Sequence, residues 1–432
     1  MRKTLILLAS GLLCPLALLA QNLDWKSADV YKKADTKTQL ATRLTDYAKQ
    51  ETATPAQQVK FAKNLVKELR KYGADVTQSK SGLTIATLPG NVKGNLPTLV
   101  FLSRLNSSAP KANTQVHHNY TGGQVDINLP KHQVLDVYNA PQLTRAYGHD
   151  LLTTDGESPL GAEAKAGTAI LLTVLQYLDE HPGISHGNVQ FVFLPQNGLT
   201  ELNPKDLSNS FGYLVSGAGR GELADQTFSG KQFKITFEGM RDVPLGQAAG
   251  SAFADNVLIA SDFHTLLPRH LRPETTSGER GFIYVDSITH SSNKTEITGM
   301  VRALSDKEMD QLTAEVSRAF KTVKALNSKA RNFTLDFEDQ FTNIKPAIPP
   351  AALELAEKAL KAEDIKPKRV ADRTQTDLSL LAAKGFAAPI LFAGHYNDNT
   401  PLEYVDLDVM EDSFRTIMRL ISLATLPQTP GN

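Results

Sequence analysis

A carboxylate and an amine, Glu163 and Lys165, stand two residues apart in a glycine-bounded turn, Gly161 to Gly167, within the stretch LLTTDGESPLGAEAKAGTAILLTVLQYL (151–178). Behind them Ile170, Leu171, Val174, Leu175 and Leu178 recur at helical spacing, which predicts a helix with one apolar face. The residues ahead of the turn read as a polar loop. A strand-to-helix turn is where α/β enzymes place metal ligands and general bases, so Glu163 is a candidate for either task. The same carboxylate also complements the positive end of a helix dipole, and the residues alone leave both roles open.

Something must position that turn, and the apolar runs say what. Thr98–Leu102 (TLVFL) is continuous, the mark of a strand buried on both faces, and it ends in Ser103-Arg104-Leu105-Asn106-Ser107-Ser108. Val189–Leu194 (VQFVFL) ends likewise in Pro195-Gln196-Asn197-Gly198, Tyr213–Val215 in Ser216-Gly217, and Ala388–Phe392 in Ala393-Gly394-His395-Tyr396. Buried strands alternating with helices predict an α/β fold, a mostly parallel sheet with helices on both faces. Functional residues are then expected at the strand ends. Between residues 231 and 338 the texture changes to alternating strands around a helix from Asp306 to Leu326, which predicts an inserted α+β domain. The expected organisation is a leader at 1–20, an α/β domain from 21–230 and 339–432, and the insertion at 231–338.

The chain has 432 residues, 46 basic and 46 acidic, and is 41% hydrophobic. Zero formal charge argues against nucleic acid or an anionic membrane surface as the main partner. Arg2 and Lys3 followed by the apolar run Leu5 to Leu19 have the order of a secretory signal, too short for a membrane span, so an exported, periplasmic or secreted protein is expected. Cys14 is the only cysteine and lies in that leader, which leaves no disulfide and no thiolate ligand downstream.

Several segments together resemble the peptidase T family, the tripeptide aminopeptidases of the dizinc exopeptidase superfamily. They are Leu-Leu-Thr-Thr-Asp-Gly (151–156), Leu-Gly-Ala-Glu-Ala-Lys-Ala-Gly (160–167), His186-Gly187-Asn188-Val189, Tyr213-Leu214-Val215, Arg373-Thr374-Gln375-Thr376-Asp377, and Gly394-His395-Tyr396-Asn397 with Glu403-Tyr404. The resemblance runs from about Phe61 to about Ala424. It implies that the insertion serves as a lid and dimerisation surface, and that relatives work in the cytoplasm.

The resemblance also implies a centre of two zinc ions held by His and carboxylate ligands, with a Glu taking a proton from the bridging water. Matched residue by residue, the first His ligand falls on Arg104 and the Asp that orients it on Asn106. The bridging carboxylate falls on Glu163, the general base on Asn197, a ligand Glu on Gly198, a ligand Asp on Ser216 and the last His on Leu402. Arginine has no lone pair to give, asparagine cannot take a proton, and one carboxylate does not hold two ions. The expectation is therefore a chain without metal, in which a buried Arg104–Glu163 ion pair replaces the zinc charge unless Arg104 faces solvent. Arg302, Arg373, Tyr396 and Asn397 match positions near bound peptide and are candidate peptide-binding residues; the lid-domain His falls at about Val243-Pro244. Three readings stay open: a non-catalytic peptide-binding or scaffold protein; an active zinc-dependent tripeptide aminopeptidase rebuilt around Glu163, Glu201, His395 or Asp398; and a regulatory subunit that pairs through the insertion. Small peptides and a homodimer are the partners these readings call for.

Overall fold

The computed structural model describes residues 35–425, apart from 95, 108–110, 197, 204–206, 208–209, 240–253, 292–293 and 375–376. The leader 1–20, Asn197 and Val243-Pro244 therefore lie outside the described residues. The chain opens with helices α1 (Thr36–Ala48) and α2 (Pro55–Lys71). Asp35 caps the first, and a reciprocal capping box of Thr54 and Gln57 starts the second. Strands β1 (Asp75–Gln78), β2 (Thr84–Leu88) and β3 (Thr98–Arg104) follow. Next come the short strands β4 (Thr114–His117), β5 (Val125–Asn128), β6 (Gln133–Leu135) and β7 (Leu151–Thr154), then helix α3 (Ala162–Glu180). After β8 (Val189–Leu194) and the single turn α4 (Gly198–Glu201), strands β9 (Ser210–Gly217) and β10 (Glu222–Thr227) complete the first half of the chain.

A second sheet is built from β11 (Ser229–Glu238), β12 (Phe282–Ser291), β13 (Lys294–Ala303) and β14 (Arg331–Phe341), all antiparallel, in the order β12-β13-β11-β14. Helices α5 (Asn256–Leu266) and α6 (Asp306–Leu326) bury one face of it in a separate core around Phe233, Phe263 and Val316. The chain then returns through α7 (Pro350–Ala362), β15 (Lys368–Asp372), α8 (Asp377–Ala383), β16 (Ile390–Phe392), β17 (His395–Tyr396), β18 (Tyr404–Asp406) and α9 (Leu407–Leu423).

The main sheet has eight strands in the order β1-β2-β8-β3-β9-β16-β10-β15. Its centre is parallel, with β3 between β8 and β9 and β16 beside β9, while β1 and β2 run antiparallel at one edge. One face is covered by α1, α2, α3, α7 and α9, and the other by apolar residues of α4, α8 and segment 344–348. This is the α/β architecture expected, with a more mixed sheet than its apolar runs suggest. A third sheet, β17-β18-β7-β4, lies at the carboxyl end of the parallel strands and joins the final loop to the segment before α3.

Two local expectations are corrected. Leu151–Thr154 is a buried strand, not a polar loop. The turn ends at Gly161, so Glu163 lies inside the first turn of α3, and nearly every residue of that helix is buried, on all sides. Gly167 belongs to the helix interior: a Cβ there would stand 2.1 Å from the Val215 carbonyl oxygen and 3.0 Å from Ser103 Oγ. The missing side chain lets the helix press onto the ends of β3 and β9.

Candidate active site

Four elements bring polar side chains to the carboxyl end of the parallel strands: β3 supplies Ser103 and Arg104, β9 supplies Ser216, the start of α3 supplies Glu163, and loop 394–403 supplies His395, Asp398, Asn399 and Glu403. Open α/β sheets place ligands at such a crevice. Hydrogen bonds knit the helix to the strands. Ser103 Oγ lies 2.9 Å from Thr168 Oγ1 and donates to the Ala164 carbonyl at 3.3 Å, and Ser216 Oγ donates to the Glu163 carbonyl at 3.1 Å.

His395 is buried at this junction. Its Nε2 lies 2.5 Å from the Ser216 carbonyl oxygen and its Nδ1 2.7 Å from Asp398 Oδ1. A carbonyl only accepts and a carboxylate accepts, so both ring nitrogens carry protons. Burial pulls the imidazole toward neutrality, yet the Asp398 charge and these hydrogen bonds outweigh it and raise the pKa to about 9. The ring is an imidazolium at neutral pH.

Glu163 is half-buried. Burial and the Asp398 charge push its pKa up, while Arg104, a hydrogen bond from Asn399 and His395 pull it down, and the rise prevails. Arg104 does not make the expected ion pair with Glu163. Its Nε stands 3.1 Å from Asp377 Oδ2 at the start of α8, a charge contact in which the Nε–H itself is not directed into a hydrogen bond. Arg104 reaches α8 because it lies at the very end of β3, and Asp377 is the first residue of that helix.

Behind this shell sit two more ionisable side chains, both fully buried. Glu403 is fully buried and accepts from the backbone N–H groups of Gly161 (2.9 Å) and Ala162 (2.7 Å), the first donors of α3. Burial, with Asp398, raises it to about 7 despite those bonds. Lys165, also fully buried, donates to the Leu160 carbonyl at 3.2 Å; burial lowers it to about 8 against the opposing pull of Glu403.

The other site candidates are placed as follows. Asn106 is half-buried in the segment just after β3. Gly198 opens α4, where a Cβ would meet the Pro195 ring at 2.6 Å, so no side chain fits. Leu402 packs with the apolar cluster of Tyr120, Leu135 and Tyr404, and the residues of its loop that approach Glu163 are Asp398 and Asn399. Glu201 accepts from Ser81 Oγ at 2.9 Å, at the β1–β2 turn. Arg302 donates to the Arg373 carbonyl at 2.9 Å and lies over the Phe341 ring. Arg373 donates to Thr276 Oγ1 at 2.9 Å and lies over Phe228 and Phe282. Both arginines thus fasten the second sheet to the end of β15. Asn397 donates to the carbonyls of Asn139 and Leu402 at 3.3 Å each, and Tyr396 stacks on Tyr404. Asp377, Asn399 and Glu403 escaped the residue-by-residue reading. Asp377 and Glu403 lie in segments that carry the family resemblance, Arg373–Asp377 and Glu403-Tyr404, and Asn399 carried no signal.

The donor set at the sheet end does not suit two metal ions. Arg104 offers no lone pair, Ser216 Oγ is turned to a backbone carbonyl, Gly198 has no side chain and His395 has a proton on each nitrogen. The expectation of a chain without metal is nevertheless corrected, because among the described residues His149, Asp406 and Asp408 form a group that could hold an ion, their ligand atoms within 4.8 Å of one another. His149 Nδ1 lies 2.7 Å from Asp406 Oδ2, and Asp408 Oδ1 takes the Lys37 ammonium at 2.7 Å.

No family model matches the chain. Peptidase T of Geobacillus thermodenitrificans is 32% identical over 409 residues, covering 90% of this chain and 98% of the relative. Peptidase T of Geobacillus kaustophilus is 33% identical over 379 residues, covering 85% and 91%. Among solved structures, aminopeptidase PepT from Bacillus cereus superposes with a TM-score of 0.70 at 16% identity, over 90% of this chain and 99% of that one. A Staphylococcus aureus tripeptidase gives 0.71 at 16% over 90% and 98%. A Bacillus subtilis dinuclear metal binding peptidase from the M20 family gives 0.60 at 12% over the same shares. The exported location is corrected too: the relatives are peptidase T proteins, whose setting the resemblance gives as the cytoplasm, and the leader-like stretch lies outside the described residues.

Proposed function

Since this chain belongs to the peptidase T family, we propose that it keeps the family scaffold as a non-hydrolytic peptide-binding protein. The observation that carries this reading is the His395 imidazolium, which spends both N–H groups on Ser216 and Asp398. Peptide hydrolysis at this crevice needs a group that takes a proton from water. His395 holds its own protons up to about pH 9, and Glu163 is engaged by a hydrogen bond from Asn399, with the Arg104 charge acting on it at longer range. The test is release of amino acids from tripeptides by the full chain with zinc present, alongside calorimetric peptide binding. Binding without turnover is the expected result. Turnover abolished by Glu163→Gln would overturn the reading.

A second reading, an active zinc-dependent tripeptide aminopeptidase, is favoured by the His149, Asp406 and Asp408 group. Turnover that survives Glu163→Gln and is lost in His149→Ala would establish it.

A further inference from the structure

Strand β17 has only two residues, and consecutive residues of a strand face opposite ways. His395 points inward to Ser216, while Tyr396 lies on the other side, paired across the ribbon with Tyr404, ring centroids 5.0 Å apart. On that side is a cavity of about 330 Å³ bordered by the turn Pro141–Arg145, the turn 218–222 and the Tyr396 ring. Two guanidinium groups line it. Arg145 is exposed, and among the described residues no ion pair or hydrogen bond engages its guanidinium. Arg220 uses Nε on Asp412 at 2.5 Å, which fixes its side chain and leaves both terminal nitrogens unspent on that acid. The one acid on the wall, Glu222, is taken up by the Gly219 N–H at 3.2 Å and Lys368 Nζ at 2.9 Å. Lys368, on the neighbouring strand β15, balances its charge, so it does not cancel the two arginines.

We propose that this cavity binds a carboxylate, the C-terminal carboxylate of a short peptide, through Arg145 and Arg220, with the adjoining side chain laid on Tyr396. Planar guanidinium forks match a carboxylate in geometry as well as in charge. The volume lies at the lower end of small-ligand pockets, right for a terminal residue and its neighbour. Arg302 and Arg373, the two arginines first expected to hold peptide, are already spent on the protein itself. The ligand site thus lies across the ribbon from the imidazolium, outside the crevice at the sheet end. This inference rests on the peptide-binding reading above and gives it a location.

The experiment is calorimetry on the full chain with trialanine, trialanine amide and inorganic phosphate. Trialanine is expected to bind, with the amide at least about tenfold weaker, one lost charge-assisted contact being worth that much. Arg145→Ala should weaken trialanine by a similar factor with no change in melting temperature, because its side chain supports nothing else. Equal binding of amide and acid, or full affinity in Arg145→Ala, overturns this site while the peptide-binding reading stands. Binding of neither peptide overturns both. Phosphate that competes as strongly as trialanine overturns the carboxylate assignment in favour of a general anion site.

Discussion

The Nε2 of His395 donates to the carbonyl oxygen of Ser216 at 2.5 Å, so that a buried positive charge ties loop 394–403 to the end of β9. The tie is pH-dependent, and its sign follows from the raised pKa of about 9. A group that binds its proton more tightly when folded stabilises fully below its unfolded value, about 6.5, and loses that contribution as pH rises through the folded value. Melting temperature should therefore fall between about pH 6.5 and pH 9, and His395→Gln should remove that part of the slope, worth on the order of 3 kcal/mol. Lys165, lowered to about 8, acts in the opposite sense above that pH, so the difference between wild type and variant is the quantity to read. A difference that stays flat across the window would show that His395 is neutral in the fold.

Arg104 and Asp377 should behave as a coupled pair. Both side chains are only about a quarter exposed, at 22% and 25%, so solvent screens the contact in part. A double-mutant cycle with Arg104→Ala and Asp377→Ala should give a coupling of about 1 kcal/mol. The cycle of Arg104→Ala with Glu163→Ala should give less, because Glu163 is bonded by Asn399 and only senses the guanidinium at longer range. Denaturant unfolding of the variants measures both. A larger coupling to Glu163 would restore the pairing that the sequence suggests and displace Asp377.

The two arginines at the junction of the sheets carry a mechanical prediction. Arg302 holds the Arg373 backbone, and Arg373 reaches across to Thr276 and lies over Phe228 and Phe282. Arg373→Ala removes two hydrogen bonds, to Thr276 Oγ1 and the Gly278 carbonyl, and two cation–π contacts at once and should cost about 1–3 kcal/mol. Hydrogen exchange should then rise in β12 and segment 269–280 and stay unchanged in α3, and peptide affinity should hold. Affinity lost with no change in exchange would return Arg373 to the ligand.

Much of this was legible in the sequence and some was not, for reasons that lie in the chemistry of particular residues. Thr98–Leu102, Val189–Leu194 and Asp306–Leu326 are long or almost wholly apolar, so run length and period fix them to within two residues. Leu151–Thr154 hid because its two threonines look like a loop until the partner strands β4 and β18 bury them. The residues at the sheet end were readable one by one, whereas their partners were not. Arg104 meets Asp377 across 273 positions of chain, and Glu403 meets Gly161 across 242, and no local pattern announces such a meeting. The carboxylate position at the start of α3 could be read; the imidazolium that now faces Ser216 became visible only when loop 394–403 was folded onto β9.

Gly198 tests whether the sheet end can simply be converted back. The resemblance puts a ligand Glu at this position, so Gly198→Glu puts back one ligand of the family's metal centre. The fold opposes it: the new Cβ would stand 2.6 Å from Pro195 Cδ and 2.9 Å from Cγ, atoms of a ring that cannot rotate away, under the buried Leu83 side chain. Overpacking of this kind costs about 1–3 kcal/mol. A carboxylate would also enter a position whose neighbours Leu199 and Leu202 are core residues. Gly198→Glu should therefore lower the denaturation midpoint and bring no zinc-dependent hydrolysis, while Gly198→Ala shows most of the same loss because the clash lies at Cβ. If Ala is tolerated and only Glu destabilises, burial of charge and not the Pro195 ring sets the limit. If Glu is tolerated and brings tripeptide turnover, the segment after β8 is looser than its packing, and the non-hydrolytic reading falls with it.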